Sequence, residues 1–419
     1  MDNSETKSGF RWLETVDEAF EVMLPAIDAA TTSIRLEVYI YRVSPIGEQV
    51  RDALIRARQR SVRVQVLVDA LGSVSLPERF WDPFVQAGGE FKWFNPLKLK
   101  RLGFRNHRKT LVIDEKIAFV GGFNVAPEYQ GDGVTKGWHD LGLQVPASLA
   151  KELAASFDVM FAMADYRHRR LARLRRSSVA KLAETPDGQL LTNAPGRGPY
   201  VMKGTLLRDI HHARNVDIIS AYFLPPRQMR RAMMRAARNG RPVRLILAGK
   251  SDVKLSQLAS RYLYRSLLRA GVQIYEYEPQ ILHTKLYLFD DVFHVGSANM
   301  DKRSLLVNYE LLVRVENPEL AEFGRKFFDK TLENCTQIKL ETWRASRTFW
   351  SKMKERWAYF VLSKLDPYLT QLQLRVLYRE MLAMKNEEGM SQSSQGPQSA
   401  QRGAKGIGGS GNQERRELK

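Results

Sequence analysis

Two segments of the 419-residue chain repeat one pattern of reactive residues. The first runs His107-x-Lys109-x-x-x-x-Asp114 and continues through Gly121 and Gly122 to Asn124. The second runs His283-x-Lys285-x-x-x-x-Asp290 and continues through Gly296 and Ser297 to Asn299. The chain has only seven histidines, so two matches about 176 residues apart at repeat-equivalent places argue for a built feature. Residues i and i+2 of a strand face the same side, so each His projects together with its Lys. Each Asp lies an odd number of residues from its His and sits where the apolar run breaks (IDEK, FDDV). Although Asp114 and Asp290 belong to the catalytic motifs, they are expected in strand-to-strand turns, acting structurally rather than on substrate. The glycines allow close backbone approach, and Asn124 and Asn299 can donate amide hydrogens to an oxyanion.

Two imidazoles, two ammonium groups and two carboxamides suit a phosphodiester. One imidazole attacks phosphorus and forms a phosphohistidine, and the other protonates the departing oxygen and later deprotonates the incoming alcohol or water. Lys109, Lys285 and the asparagines neutralise the phosphoryl oxygens as charge spreads over them. Each half of the chain supplies one His, so neither half could run the reaction alone. No cofactor and no metal is called for.

The segments that must position these residues are themselves duplicated. A helical pattern over Val16–Ala30 leads into SIRLEVYIY at Ser33–Tyr41, and a second over Glu48–Gln59 leads into VRVQVLVDALGS from Val62. In the second half LLRDIHHARN leads into VDIISAYF from Val216, and RQMRRAMMRAARNG leads into PVRLILAGKSD. Amphipathic helices followed by short apolar runs predict βα units. The expected fold class is α/β: two similar α-β-α sandwich domains forming a pseudo-dimer, with a C-terminal helical extension and a disordered tail. The expected boundaries are 1–165 for the first domain and 166–195 for a basic linker opening on YRHRRLARLRRSS. The second domain is expected over 196–345, an amphipathic extension over 346–385, and a Ser/Gln/Gly-rich disordered tail over 386–419.

The formal net charge of +19 belongs to the folded body, since the tail carries five basic and four acidic residues. Such a surplus implies an anionic partner, nucleic acid or an acidic membrane, and composition does not choose between them. One cysteine, Cys335, excludes an internal disulfide framework and a Cys-based metal cluster. No signal-like apolar run opens the sequence, and nowhere do about 18 apolar residues follow one another, so no membrane span is expected. KLKRLGFRN (Lys98–Asn106) leads into His107, and its four cations are expected at the mouth of the site, where they could hold a second phosphate. In FWSKMKERWAYFVLSKLDPYL (Phe349–Leu369), Trp350, Met353, Trp357, Phe360, Val361 and Leu365 share one helical face, with Lys352, Lys354, Arg356 and Lys364 on or beside the other. That pattern suits an interfacial helix in the headgroup plane, or equally one packing its aromatic face on the core. His211 and His212 are adjacent on an amphipathic helix and point different ways, so they make no metal pair. His139 reads as a structural residue or a substrate contact.

The two motifs resemble the HKD motifs of the phospholipase D superfamily, over about residues 13 to 345. Within it the chain is similar to bacterial cardiolipin synthases, especially the short type without N-terminal transmembrane helices. Further residues carrying the resemblance are Glu37 in RLEVYIY, the Trp138-His139-Asp140 run, and GSANMDKRSLLVNYE ending at Glu310. The resemblance implies that Glu310 orients His283 and Asp140 orients His107, each accepting an imidazole N–H. It implies the first-motif His as nucleophile, a choice the residues alone leave open. It also implies anionic phospholipid partners (phosphatidylglycerol, cardiolipin) at a membrane surface, no nucleic acid, and a peripheral place on the cytoplasmic face of the inner membrane. Two departures stand out. Gly122 replaces the usual Ser, removing a hydroxyl expected to donate to phosphate, and five residues rather than six separate Asp290 from Gly296. The function expected is phosphatidyl transfer to phosphatidylglycerol. The alternatives are a hydrolysing phospholipase D or a transferase using another alcohol, a nuclease of the same superfamily, and a basic membrane scaffold with a vestigial site.

Overall fold

The structure, a computed structural model, describes residues 9–96, 104–164, 181–195 and 200–365. Lys98–Arg101, the arginine-rich run from Tyr166, the extension beyond Leu365 and the tail from Asn386 lie outside the described residues.

The first lobe opens with β1 (Arg11–Leu13) and α1 (Val16–Asp28), whose start is fixed by Thr15, the side chain accepting from Glu18 N–H. Next come β2 (Ser33–Val38), α2 (Pro45–Gln59), β3 (Arg63–Asp69), α3 (Asp82–Gln86) and β4 (Glu90–Phe94). Ser44 caps α2 and Pro45 occupies its first turn, where a missing N–H costs nothing. The lobe closes with β5 (Thr110–Ile113), β6 (Ile117–Gly121), β7 (Gly142–Val145) and α4 (Ala147–Ala164). Its seven-stranded sheet has the order β1-β7-β6-β5-β2-β3-β4.

The second lobe starts with a hairpin, β8 (Leu182–Thr185) and β9 (Gly188–Asn193). It continues through α5 (Val201–His212), β10 (Val216–Ser220), α6 (Arg227–Arg238), β11 (Val243–Ala248), α7 (Lys254–Leu268) and β12 (Gln273–Tyr277). Then follow β13 (Lys285–Phe289), β14 (Val292–Gly296), α8 (Lys302–Leu306), β15 (Glu310–Glu316) and α9 (Pro318–Leu332). The chain ends, as described, in β16 (Cys335–Ile338), α10 (Leu340–Ala345) and α11 (Phe349–Phe360). The nine-stranded sheet runs β16-β12-β11-β10-β13-β14-β15-β9-β8.

Set side by side, β7-β6-β5-β2-β3-β4 and β15-β14-β13-β10-β11-β12 are one six-stranded plan used twice, parallel across β2-β3-β4 and β10-β11-β12 and antiparallel elsewhere. The two lobes are therefore the expected pair of similar α/β sandwiches. The linker boundary needs correcting, because residues 182–193, taken as linker, pair through β9 with β15 and belong to the second sheet. Two apolar clusters among the described residues join the lobes, and the larger contains Trp12. Trp12 stacks on Phe323 at 5.4 Å and tilts against Phe293 at 4.9 Å, so the first strand of one lobe is buried in the other.

Each motif Asp sits in the turn between its motif strands, at φ 54° in both copies, a backbone conformation that Asp tolerates better than most side chains. Asp114 accepts from the N–H and hydroxyl of Thr31, the N–H and hydroxyl of Thr32, and Ser33 N–H, at 2.7–2.9 Å. Asp290 accepts from Arg214 N–H at 2.7 Å and from Asn215 N–H at 2.9 Å. Both carboxylates thus pin the hairpin to the start of β2 or β10, roughly 16 Å along the strand from the motif Lys. Their role is structural, as the spacing predicts. Asp114→Ala is expected to lower stability by about 2–4 kcal/mol, since five hydrogen bonds to one charged group are lost. Urea denaturation would show this as a lower midpoint, with per-molecule activity of the folded fraction retained; catalysis lost at unchanged stability would contradict it.

Candidate active site

Each histidine lies just before its strand, held by a backbone bridge from the opposite lobe. Asn106 bridges to Tyr309, with His107 N–H on Tyr309 O at 3.0 Å. His139 bridges to Leu282, with His283 N–H on His139 O at 2.8 Å. Glu310 and Asp140 are the residues that follow those two bridges. The register therefore carries each carboxylate to the other lobe's imidazole.

That crossing corrects the orientation drawn from the resemblance. Glu310 faces His107, with its carboxylate oxygens 3.1–3.2 Å from Nδ1, and Asp140 faces His283, with Oδ2 2.6 Å from Nδ1. Both pairings occupy Nδ1, so the tautomer they favour leaves Nε2 of each ring as the reactive nitrogen. Neither lobe can orient its own histidine. Asp140 also accepts from Leu141 N–H at 2.9 Å, and Glu310 from Ser297 Oγ–H at 2.5 Å.

Ser297 therefore serves the carboxylate rather than a substrate phosphate, which explains the departure at Gly122. A Cβ at position 122 would overlap the carboxylate oxygens of Asp140. One lobe uses Glu with a supporting Ser, and the other uses Asp in the space that a side chain would fill. Gly122→Ser is expected to push Asp140 off His283 and lower kcat about 10–100-fold, with KM little changed. Steady-state kinetics of that variant would decide it, and wild-type kcat would show that the space is not needed.

Lys109 and Lys285 turn back on their own motifs, each Nζ donating to the backbone oxygen of its own His, Lys109 at 2.6 Å. Burial is the largest influence on both; it lowers their pKa to about 7 and about 8. Burial also lowers His283 to about 4, helped by the Lys285 and Lys109 charges against the pull of Asp140. His107 is lowered for the same reason, with Glu310 opposing and both lysines assisting. Charge in each lobe thus bears on the imidazole of the other, as a shared pocket requires. Burial pushes Asp140 and Glu310 upward, but the facing histidines and their hydrogen bonds outweigh it and hold both below the usual carboxylate range. Burial thus biases both imidazoles toward the neutral form.

The asparagines do less than expected as donors. Asn124 accepts from Ile40 N–H at 2.9 Å and donates to Tyr129 Oη at 2.6 Å, and Asn299 accepts from Tyr222 N–H at 3.3 Å. Asn124 thereby spends one of its two amide hydrogens on Tyr129, and no bond from the amide nitrogen of Asn299 is formed among the described residues. Arg105, counted among the mouth cations, is buried and held by Asp69 at 2.6 Å, so it cannot serve a second phosphate. Glu37 accepts from Asn106 Nδ2 at 2.7 Å and so steadies the residue next to His107. His139 is structural: it is stacked between Tyr277 and Phe327, with Nε2 3.0 Å from Thr331 Oγ1. Sequence reasoning missed the aromatic surround. Tyr39 packs edge-on to His107 at 4.8 Å, and Tyr129 and Trp138 lie 5.2 and 5.3 Å from His283. Among the described residues no group of three or more His, Cys, Asp or Glu is placed to hold a metal ion.

Comparison with known proteins agrees with this geometry. The family model described as "Cardiolipin synthase, PLD-like domain" matches residues 23–158 and 206–332, one match in each lobe. Cardiolipin synthase 1 of Bacillus anthracis is 33% identical over 336 residues, 77% of this chain and 66% of that protein. A cardiolipin synthase of Clostridium perfringens is 32% identical over 334 residues, 77% of this chain and 70% of its own length. The chain thus spans about two thirds of the length of these relatives. The crystal structure of the phosphatidylserine synthase of Haemophilus influenzae shares the fold, with a TM-score of 0.65 at 14% identity over 86% of this chain and 95% of that one. A duplicated His-Lys site, a match in both lobes and curated relatives at this level place the chain in the cardiolipin synthase family of phospholipase D-like proteins.

Proposed function

We propose that the protein is a phosphatidyltransferase that makes cardiolipin from two molecules of phosphatidylglycerol through a phosphohistidine. The observation that carries this reading is the crossed pair of dyads, Glu310 on His107 and Asp140 on His283, with Lys109 and Lys285 each acting electrostatically on both imidazoles. We assign His107 as nucleophile, because its side chain is 12% exposed against 5% for His283 and so is the more open to an arriving headgroup. His107 Nε2 bonds to the phosphorus of the first lipid as the P–O bond to its headgroup glycerol breaks. His283, which gains a proton once the anionic phosphodiester lies beside it, gives that proton to the departing oxygen, and glycerol leaves. The headgroup hydroxyl of a second phosphatidylglycerol then attacks, giving its proton back to His283 as the P–N bond breaks, and cardiolipin is released. Lys109, Lys285 and Asn299 bear the phosphoryl charge. Tyr39, Tyr129 and Trp138 line an aromatic surround that disfavours water at the phosphohistidine stage, which favours transfer over hydrolysis. The substrates are membrane lipids, and the proposed working place is the face of a membrane; no helix among the described residues is long and apolar enough to cross one.

Incubating the purified protein with phosphatidylglycerol and separating the lipids tests the reading. Diphosphatidylglycerol and free glycerol in equal amounts are expected, whereas phosphatidic acid as the main product would point to the hydrolase and no lipid product would refute the proposal. The pH profile is a second check. Both lysines must be charged to receive the phosphodiester, and their pKa values of about 7 and 8 place proton loss within reach. Because both must be charged and they titrate as a coupled set, kcat/KM is expected to fall above about pH 7 and more steeply above about pH 8, far below the ordinary lysine range near 10.4. A profile flat to about pH 10 would contradict this.

A further inference from the structure

Helix α11 does not bury the face its sequence pattern offers. It lies on α7 through Glu355, Ala358 and Tyr359, with Tyr359 stacked on Tyr262 at 4.5 Å, while Arg347 pairs with the buried Glu355. Where its following turn ends, Lys302 Nζ donates to Ser363 O at 2.7 Å, tying it to the segment just beyond Asn299. The helix is thus held in one orientation, and that orientation keeps its large apolar side chains in water. Trp350 is 73% exposed and Trp357 61%, and Phe349, Met353 and Phe360 are exposed as well. A row of this kind on one short helix exceeds the single scattered apolar residues ordinary at a surface.

Beside the row, and reaching Phe349 and Met353 within it, runs a groove of about 460 Å³ between α7, α10 and α11, whose lining includes Arg261, Arg265, Arg344, Arg347, Lys352 and Arg356. Arg261 is neutralised by Glu276 at 2.7 Å and Arg347 by Glu355. Arg265, Arg344, Lys352 and Arg356 form no ion pair among the described residues, so a concave surface with four unmatched cations adjoins an exposed aromatic row. An isolated anion-binding site would need the cations without the aromatics. A polyanion such as nucleic acid would gain nothing from solvating Met353 and Phe360 beside its phosphates. An acidic bilayer satisfies both at once, with phosphate in the groove and aromatic and thioether side chains at the acyl boundary.

We infer that α11 and the α7–α10–α11 groove form a bilayer-docking surface, in which Trp350 and Trp357 insert at the interface and the groove takes the phosphate of an anionic phospholipid. The surface is separate from the two-histidine pocket, and the inference rests on the proposed function only in taking lipid as the substrate class. It also accounts for the bond from Lys302, because docking there seats the membrane against the segment that follows the second motif.

The test is flotation of the full-length protein with vesicles of phosphatidylcholine alone or mixed with phosphatidylglycerol. Wild type is expected to float with the mixed vesicles and poorly with pure phosphatidylcholine, and to be released by salt. Trp350→Ala with Trp357→Ala is expected to weaken binding about tenfold or more. Arg265→Gln and Arg344→Gln are expected to weaken it about fivefold each and to flatten the salt dependence. An unchanged thermal transition by circular dichroism would show that the variants are folded. His107→Ala, expected to lose synthesis, should float like wild type, so that a failed reaction and a failed docking surface can be told apart. Folded variants that float like wild type would overturn the inference, as would retention on duplex DNA through these residues with no vesicle binding.

Discussion

Replacing either histidine with alanine is expected to abolish phosphatidyl transfer, with a loss of about 10³-fold or more from each change alone. The reason is the division of labour between the lobes. In the proposed mechanism His107 supplies the atom that bonds to phosphorus, and His283 supplies the proton that lets the glycerol oxygen leave. Neither lobe holds a spare. Each imidazole is oriented by a carboxylate from the other lobe, so removing one His cannot be repaired by rotating the remaining one. The two losses are also expected to be non-additive, because either change alone already stops the first step. Cardiolipin formation from phosphatidylglycerol, followed by lipid chromatography for wild type, His107→Ala, His283→Ala and the double variant, checks this. A vestigial site predicts four equal rates, and two independent sites predict that each single variant keeps about half.

The second large effect is expected at the carboxylate that faces the proposed nucleophile. Glu310→Gln should cost about 10²–10⁴-fold in kcat while leaving the fold intact, since a carboxamide can donate to Nδ1 and so favour the tautomer in which Nε2 carries the proton and cannot attack. Glu310 is fully buried and also receives the Ser297 hydroxyl, so Gln fills the space without vacating the pocket. The crossed pairing adds a sharper readout. In nitrogen-15 spectra of labelled imidazoles, Glu310→Gln should move the His107 resonances and leave those of His283 in place, and Asp140→Asn should do the reverse. Same-lobe pairing, as the resemblance implies, predicts the opposite assignment.

Much of this was legible in the residues. The helices beginning near Val16, Glu48, Leu206 and Arg227, each leading into a strand, appear where the apolar periodicity places them, because those helices bury one face on a sheet whose strands are apolar on both sides. The break of the apolar run at Asp114 and Asp290 reported the strand-to-strand turns correctly, whereas His107, Lys109 and His283 lie just before β5 and β13 rather than within them. What failed depends on contacts between lobes. Asp140 and Glu310 each follow a motif of their own lobe in sequence, and nothing local reveals that the bridges at Asn106–Tyr309 and His139–Leu282 exchange them. The role of Gly122 was equally hidden, since it depends on where the Asp140 carboxylate sits in space. The hairpin β8–β9 did carry a signal. Thr185-Pro186-Asp187-Gly188 is a turn sequence between two short apolar runs, and it was overlooked beside the arginine-rich run. The aromatic row of α11 was visible, but its outward orientation was not, because that is set by Glu355, a charged residue buried by its pairing with Arg347.

The most direct measurement is an experimental structure with orthovanadate, a mimic of the pentacoordinate phosphoryl group. One vanadium is predicted in the pocket, bonded to Nε2 of His107, with an apical oxygen on its far side within hydrogen-bond reach of Nε2 of His283 and its equatorial oxygens on Lys109 and Lys285. Two separate vanadates, one on each histidine, or a vanadate bonded in one lobe and out of reach of the other, would contradict it.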